Sequence, residues 1–406
     1  MNEFSQGGRV LAASFLGIAV GVSSLYFYSL GVFIKPMAEE FGWGRGAASL
    51  GALVGTACAA IMSIPMGRVV DRLGSVRVAL GSLGLLALGF VAIGALTTGL
   101  ASFLLLTAVT SLLTAASSPM PFSRLVVASF RRHRGLALGL TLAGTGMGAI
   151  LIPRLLVPYV AEHGWRRGYF VLAAVVAVAI PLVAWLLAGR DDKSHRPAPA
   201  LPIGAVIADP AFRLLVAIFF LAAAAILGTV VQFVPMLTDG GLSPASAGGT
   251  AALIGIAAIA GRLLTGWMLD RAPPHRVTAT VFAVAAGGIA LLALGGVAWA
   301  IPGALIVGAA VGAEVDLIAF LVGRYFSHGN YGQMYGATYT GFLLGGALGP
   351  ALSGYLEQAS GNYRLSLFVA ATMLSISAFA ASRIRLLKPL TEADPPGARV
   401  DISRCP

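Results

Sequence analysis

Charge is what this sequence has least of. Only 11% of its 406 residues are Asp, Glu, Lys or Arg, against roughly a quarter in soluble domains, while 58% are hydrophobic. That ratio excludes a water-soluble globular protein. Cysteine is nearly missing too, with Cys58 in an apolar segment and Cys405 near the end of the chain. Two such residues make neither a disulfide framework nor a metal set, so no metal and no cofactor is expected. Histidine is missing from the apolar runs: His133, His163, His195, His275 and His328 all fall between them. No cleavable leader is expected either. The first apolar stretch, 10–33, is longer than a signal core of about 7–15 residues and reads as a retained span.

What is there is length. Apolar runs that reach the roughly 20 residues needed to cross a bilayer occur twelve times. They cover 10–36, 46–68, 76–97, 100–128, 135–161 and 167–188, then 210–237, 244–269, 276–297, 300–325, 334–356 and 363–384, numbered here as spans 1 to 12. The charged, proline-bearing stretch 189–209 reads as a linker between a six-span half at 1–188 and another at 210–385, with a tail at 386–406. The expected fold is therefore an all-α membrane protein of two pseudo-symmetric six-helix bundles.

The net charge of +11 would suit nucleic acid, but its placement says otherwise. With both termini inside, nineteen of the 27 Lys and Arg fall on the cytoplasmic side and five outside (Lys35, Arg45, Arg166, Arg167, Arg364). That bias is the signature of membrane topology, not of a nucleic-acid surface. All five tryptophans fall near span ends, where an indole suits the interface. The chain is thus expected to be multi-pass in a bacterial inner membrane, with both termini cytoplasmic, the bilayer as its partner, and functional as a monomer.

The halves repeat. Pro36-Met37 recurs as Pro235-Met236, and Gly67, Asp71, Arg72, Arg77 and Val78 recur 199 residues on as Gly266, Asp270, Arg271, Arg276 and Val277. Later the offset slips to 197, where Gly139, Gly148 and Pro153 recur as Gly336, Gly345 and Pro350. Parallel repeats of this kind put a substrate site near the midplane, between the halves.

The loop GRVVDRLGSVR (67–77) resembles the span 2–3 signature of the major facilitator superfamily, and TGWMLDRAPPHR (265–276) is its weaker echo. Asp71 is placed to cap or pair with a neighbouring helix end, with Arg72 and Arg77 reaching across the cytoplasmic joint. Gly67, Asp71, Arg72, Arg77, Asp270 and Arg271 are accordingly candidate gating residues. Around span 5, SFRRHRGLALGLTLAGTGMG (129–148) is similar to the monocarboxylate porter group, as are YFYSLGVFIKPMAEEFGW (26–43) and AGRLLTGWMLDR (260–271). The resemblance implies transport of a small organic anion and a span 8 arginine that binds it, here Arg262. Two positions depart from the animal members: Ala258 stands where they carry an aspartate, and Tyr28 where they carry a lysine.

An ionisable residue at membrane depth is costly and is a site candidate by default. Among acids only Glu314 and Asp316 lie deep, both in span 10, and a proton carried by a side chain must use them. Two residues apart, they point about 200° from one another around the helix. Asp316 shares its side with Gly312 and Gly308, which suits close packing, so Glu314 is expected to face the cavity. Arg262 lies roughly 12 Å above Asp270 at 1.5 Å per residue, as a substrate contact or as the ion-pair partner of one of these acids. Arg124 reads equally as a cytoplasmic gate or a snorkelling side chain, and Arg154 as snorkelling. Tyr28, Tyr339 and the deep amide Gln232 are expected to line the substrate path.

The functional expectation is a proton-coupled symporter of a monocarboxylate working by alternating access. The alternative is a proton-antiport exporter of drugs or metabolites. A membrane receptor or enzyme has little support, since the loops are short and no nucleotide, metal or nucleophile constellation is present; the chain is not expected to be an enzyme.

Overall fold

The computed structural model of the chain describes residues 3–43, 45–189, 203–326 and 330–384. Most of the 189–209 linker and all of the 386–406 tail lie outside the described residues. Within them there is no strand, and the chain makes twelve helical passes. In hydrocarbon every backbone N–H and C=O must find its partner inside the protein, so a continuous helix is the economical solution.

Eight passes are single helices: Arg45–Leu73, Ser75–Leu96, Trp165–Leu186, Pro210–Asp239, Pro244–Leu269, Pro274–Gly295, Tyr331–Ser360 and Arg364–Arg383. Span 10 is Ala300–Tyr325, entered through a 3₁₀ turn at Gly296–Trp299. Spans 7, 8 and 9 open on Pro210, Pro244 and Pro274, where a missing N–H costs nothing. Asp209 and Ser243 cap the first two through the N–H groups of Ala211 and Ser246.

Spans 1, 4 and 5 are broken. Span 1 runs Glu3–Ala19, a π turn Val22–Tyr26, then Phe27–Phe41. Its first helix starts seven residues before the apolar run. Span 4 is Leu100–Leu113, a 3₁₀ turn Ala115–Ser117, then Pro119–Ser129. Span 5 is Arg134–Leu142, Gly144–Leu151, a π turn Ile152–Leu156 and Val157–His163. Pro119 and Pro153 withhold a backbone donor where spans 4 and 5 change geometry. All three broken passes belong to the N-terminal half; span 7, the counterpart of span 1, is one helix.

Small residues set the packing. Gly312 of span 10 sits directly on the Ala258 carbonyl of span 8, so a methyl group there would collide with backbone. Close approach of this kind replaces the hydrophobic effect, which gives no drive between helices in lipid. Leucines and isoleucines such as Leu53, Ile61 and Leu88 face outward as a lipid-facing belt.

At the face opposite the basic loops, each half carries a clasp. Trp165 Nε1 donates to Glu40 Oε2 at 2.6 Å, and Arg166 donates to Glu40 Oε1 at 2.9 Å and to the carbonyls of Gly94 and Thr97. In the other half, Tyr363 donates to Asp239 at 2.6 Å and Arg364 to the Ala293 carbonyl at 3.2 Å. Glu40 and Asp239, like Gly94 and Ala293, are 199 residues apart; Trp165 and Tyr363 are 198 apart. The Trp165 indole, then Arg166, holds the Glu40 carboxyl below the usual carboxylate range. Trp165 is therefore no interfacial anchor: it is buried, packed edge-on to Tyr169, whereas Trp185, Trp267 and Trp299 are exposed near span ends.

Candidate functional site

The halves meet along two seams that start at the basic face. On the first, Asp71 at the end of span 2 accepts the backbone N–H groups of Gly332 and Gln333, both at 2.8 Å, in the first turn of span 11. A carboxylate at a helix N-terminus satisfies orphan donors and meets the positive end of the helix dipole. On the second, Asp270 accepts from Gly135 at 2.6 Å and Leu136 at 2.9 Å in the first turn of span 5. The aspartates are 199 residues apart and their partners 197 apart, so one contact is the duplicate of the other.

Backbone contact makes these bonds possible. Gly67 lies on the Gly332 carbonyl, and Gly266 on that of Gly135. Burial pushes the Asp270 carboxyl above its ordinary value, against the two N–H groups that favour its charged form. The loop leading into span 5 is also tied to its own half: Glu3 accepts N–H bonds from Arg132 at 3.0 Å and His133 at 3.1 Å.

Arg124 belongs to this joint. Buried, it donates to the Val70 carbonyl at 2.9 Å and lies 3.4 Å from Asp71. Its guanidinium is held inside the joint rather than extended to the interface. Arg154 is exposed, in keeping with snorkelling. Arg72 and Arg77 are exposed beside Asp71, and the carboxylate rather than either guanidinium spans the joint. Arg271 is likewise local, stacked 4.4 Å over Trp267 and donating to its carbonyl.

Higher on the same seams, Thr340 of span 11 donates to the Ala60 carbonyl of span 2 at 2.9 Å. On the other seam Gly139 of span 5 abuts the Arg262 carbonyl, and Gly146 faces Ile259. Further along span 8, towards the clasped face, Gly255, Gly249 and Gly248 look onto open space. The joint is closed at the basic face and parts towards the other.

Arg262 sits where the second seam ends. Its guanidinium donates to Asp316 Oδ1 at 2.7 Å, and both groups are buried. The spacing along span 10 explains the pairing. Gly308 and Gly312 press span 10 against span 8, and Asp316, one turn beyond Gly312, emerges on that face opposite Arg262. The acid assigned to the packing side is thus the one that reaches the arginine. Glu314, expected to face the cavity, is buried to the same degree. Glu314 Oε1 and Asp316 Oδ2 have no hydrogen-bond partner among the described residues. A Cβ added at Gly139 would stand 3.6 Å from Asp316 Oδ2, so the unpartnered oxygen is turned towards the other half.

Tyr28, Tyr335 and Tyr339 lie within the electrostatic reach of Arg262. Tyr28 is the most open of the three, 39% exposed, while Tyr335 is buried. Tyr331, Tyr335, Tyr339 and Phe342 stack along span 11 with centroids 5.4–5.8 Å apart. Gln232 does not join this group. Its amide lies against Gly354, fifteen residues beyond Tyr339 on span 11, or roughly 22 Å along the helix axis. The groups that sequence reasoning passed over are mostly backbone donors, namely Gly135, Leu136, Gly332 and Gln333, together with Glu3 and the clasp residues. The 197-residue repeat of the span 5 and span 11 glycines was the available signal for the first four. Among the described residues no cluster of His, Cys, Asp and Glu is suited to a metal.

Comparison with known proteins agrees with this fold. The family model described as Major Facilitator Superfamily matches residues 16–350. The chain is 27% identical over 398 residues to a gallate transporter of Pseudomonas putida, covering 86% of this chain and 85% of that one. It is 27% identical over 264 residues to Monocarboxylate transporter 11 of Homo sapiens, covering 62% of this chain and spanning 56% of that relative's length. Among solved structures, a Major Facilitator Superfamily transporter, FucP, in the outward conformation superposes with a TM-score of 0.77 at 16% identity, covering 94% of this chain and 99% of that one. The human organic anion transporter MFSD10 gives 0.73 at 16% identity, covering 92% and 99%.

Proposed function

Since the chain belongs to the major facilitator superfamily, and is a membrane transporter of small molecules rather than an enzyme, we propose that it moves a small organic monocarboxylate together with a proton by alternating access. The observation that carries this reading is the buried Arg262–Asp316 pair, whose second carboxylate oxygen is unpartnered. An ionisable pair held at membrane depth is by default a candidate for the transport path. A guanidinium offers two parallel donors that match a carboxylate.

The cycle follows from charge balance. With the site empty, Asp316 neutralises Arg262. When a substrate carboxylate arrives, it takes the place of Asp316 on the guanidinium, and Asp316 takes up a proton so that no extra charge is buried. Release of the substrate on the other side returns Asp316 to Arg262 and discharges the proton. Glu314, buried nearby with a free oxygen, is a second station for that proton. The basic face is assigned to the cytoplasm of a bacterial inner membrane, with both termini there, on the distribution of Lys and Arg. The gallate and monocarboxylate transporters among the relatives carry organic acids, which supports the substrate class.

In proteoliposomes, an inward proton gradient is expected to drive uptake of a labelled monocarboxylate. Arg262→Gln abolishes it with the protein still in the membrane. Uptake that persists in Arg262→Gln ends the assignment, and substrate-driven proton efflux in the opposite sense indicates an exporter.

A further inference from the structure

The site as described draws its charge from the C-terminal half. The N-terminal half contributes the π turn of span 1. Its neighbours hold it from two sides. Val22 N–H donates to Ser117 Oγ at 3.3 Å in the 3₁₀ turn of span 4, and Gly21 lies on the Ser117 carbonyl with no room for a Cβ. From span 5, Gly148 N–H donates to Ser24 Oγ at 3.1 Å. Three broken helices therefore brace one another at one level, and π turns of this kind concentrate at functional sites.

The turn has a geometric effect. Its i→i+5 bonding brings residues five apart onto one side. Ser23 and Tyr28 are five apart, so the turn sets them one above the other on the same side of span 1. Ser23 is half-buried, and its side chain lies near the Tyr339 hydroxyl of span 11. Tyr339 in turn belongs to the aromatic stack with Tyr335 and Phe342. Opposite the guanidinium there is thus a rim of neutral hydroxyls backed by aromatic faces. Neutral hydroxyls that donate and accept do not select a second charge. They select a hydroxyl, and a site built to pair with one discriminates strongly against the analogue that lacks it.

We propose that Ser23, presented by the π turn and acting with Tyr28 and Tyr339, forms a subsite that reads a ring hydroxyl of an aromatic monocarboxylate whose carboxylate sits on Arg262. This rests on the reading of Arg262 as the carboxylate contact. The ring lies against the Tyr335–Tyr339–Phe342 stack. The bracing by Ser117 and Ser24 keeps the hydroxyl at a fixed height.

The test uses the full chain in proteoliposomes with benzoate, 4-hydroxybenzoate and 3,4,5-trihydroxybenzoate as probes. The quantity read is the ratio of kcat/KM for a hydroxylated probe to that for benzoate. Ser23→Ala is expected to lower this ratio about tenfold, the scale of one hydrogen bond, and Ser23→Thr to restore most of it. A ratio unchanged in Ser23→Ala, including the case where both probes fall together, overturns the proposal and leaves Ser23 a structural residue. Wild-type protein that carries short aliphatic carboxylates but none of the three probes also overturns it, while leaving the Arg262 reading intact. Benzoate uptake that survives Arg262→Gln removes the carboxylate reading. The Ser23 ratio then stands or falls by itself.

Discussion

Asp71 and Asp270, 199 residues apart in the chain, each accept two backbone N–H groups from the first turn of a helix in the opposite half. Four charge-assisted bonds thus close the basic face, two on each seam. Replacing Asp71 by Asn keeps the shape and removes the charge, which weakens the closed joint by about 1–2 kcal/mol. The population with an open basic face then rises by about tenfold. Labelling of Thr340→Cys with a maleimide reports it, in a background where Cys58 and Cys405 are serine. Equal labelling rates with and without Asp71→Asn rule out a part for Asp71 in closure.

The Arg262–Asp316 pair is predicted to separate stability from transport. Asp316→Asn alone leaves a buried guanidinium without its counter-charge, at a cost of about 3–5 kcal/mol. The double variant Arg262→Gln, Asp316→Asn removes both charges and is expected to recover most of the thermal stability in detergent while remaining inactive. A double variant as unstable as the single one would show that the two charges do not compensate one another.

Much of this was legible beforehand. Twelve spans, the duplication and the six-plus-six division follow from apolar length and from identities at fixed offsets, because a bilayer admits few other solutions for a backbone. Arg262, Glu314 and Asp316 were also visible, since charge at depth stands out against an apolar background. Which of the two acids pairs with the arginine was not. Helical phase set the two acids on different sides of span 10, yet it said nothing of how close span 8 comes to span 10, which Gly308 and Gly312 decide. Gln232 shows the same limit. Its depth in span 7 was readable, while its level relative to Arg262 depends on how spans 7 and 11 are set against each other. Arg72 and Arg77 looked like the joint because charge is conspicuous in a sequence, whereas the N–H groups that Asp71 captures have no letter of their own.

The clasp at Glu40 has a definite pH signature. Its folded-state pKa is depressed by Trp165 and Arg166 below the ordinary glutamate value of 4.5. Its contribution is therefore fully present above that value and is lost as pH falls through the lower folded value. The difference in melting temperature between wild type and Glu40→Gln is expected to be flat between pH 6 and 8 and to shrink only below about 4.5. A difference that disappears near neutrality excludes the carboxylate as its source.

Glycine substitutions should divide by location. Gly312→Ala puts a methyl on the Ala258 carbonyl and pushes span 10 off span 8, at about 1–3 kcal/mol. It is expected to damage uptake as well, because Asp316 rides on the same helix one turn away. Gly255→Ala meets open space and is expected to leave the melting temperature unchanged. Similar losses in both variants would mean that glycine matters here for backbone freedom rather than for contact.

The two clasps have a mechanical consequence. Each ties helix ends within one half, at the end where the halves part, and neither crosses between them. In the proposed cycle, opening the basic face would therefore leave every clasp bond intact, and the work would fall on the four N–H bonds at the far end and on the seams above them. Each half would swing as one piece about the seam near Gly139 and Arg262, and a change of charge there would be read out at the clasped ends.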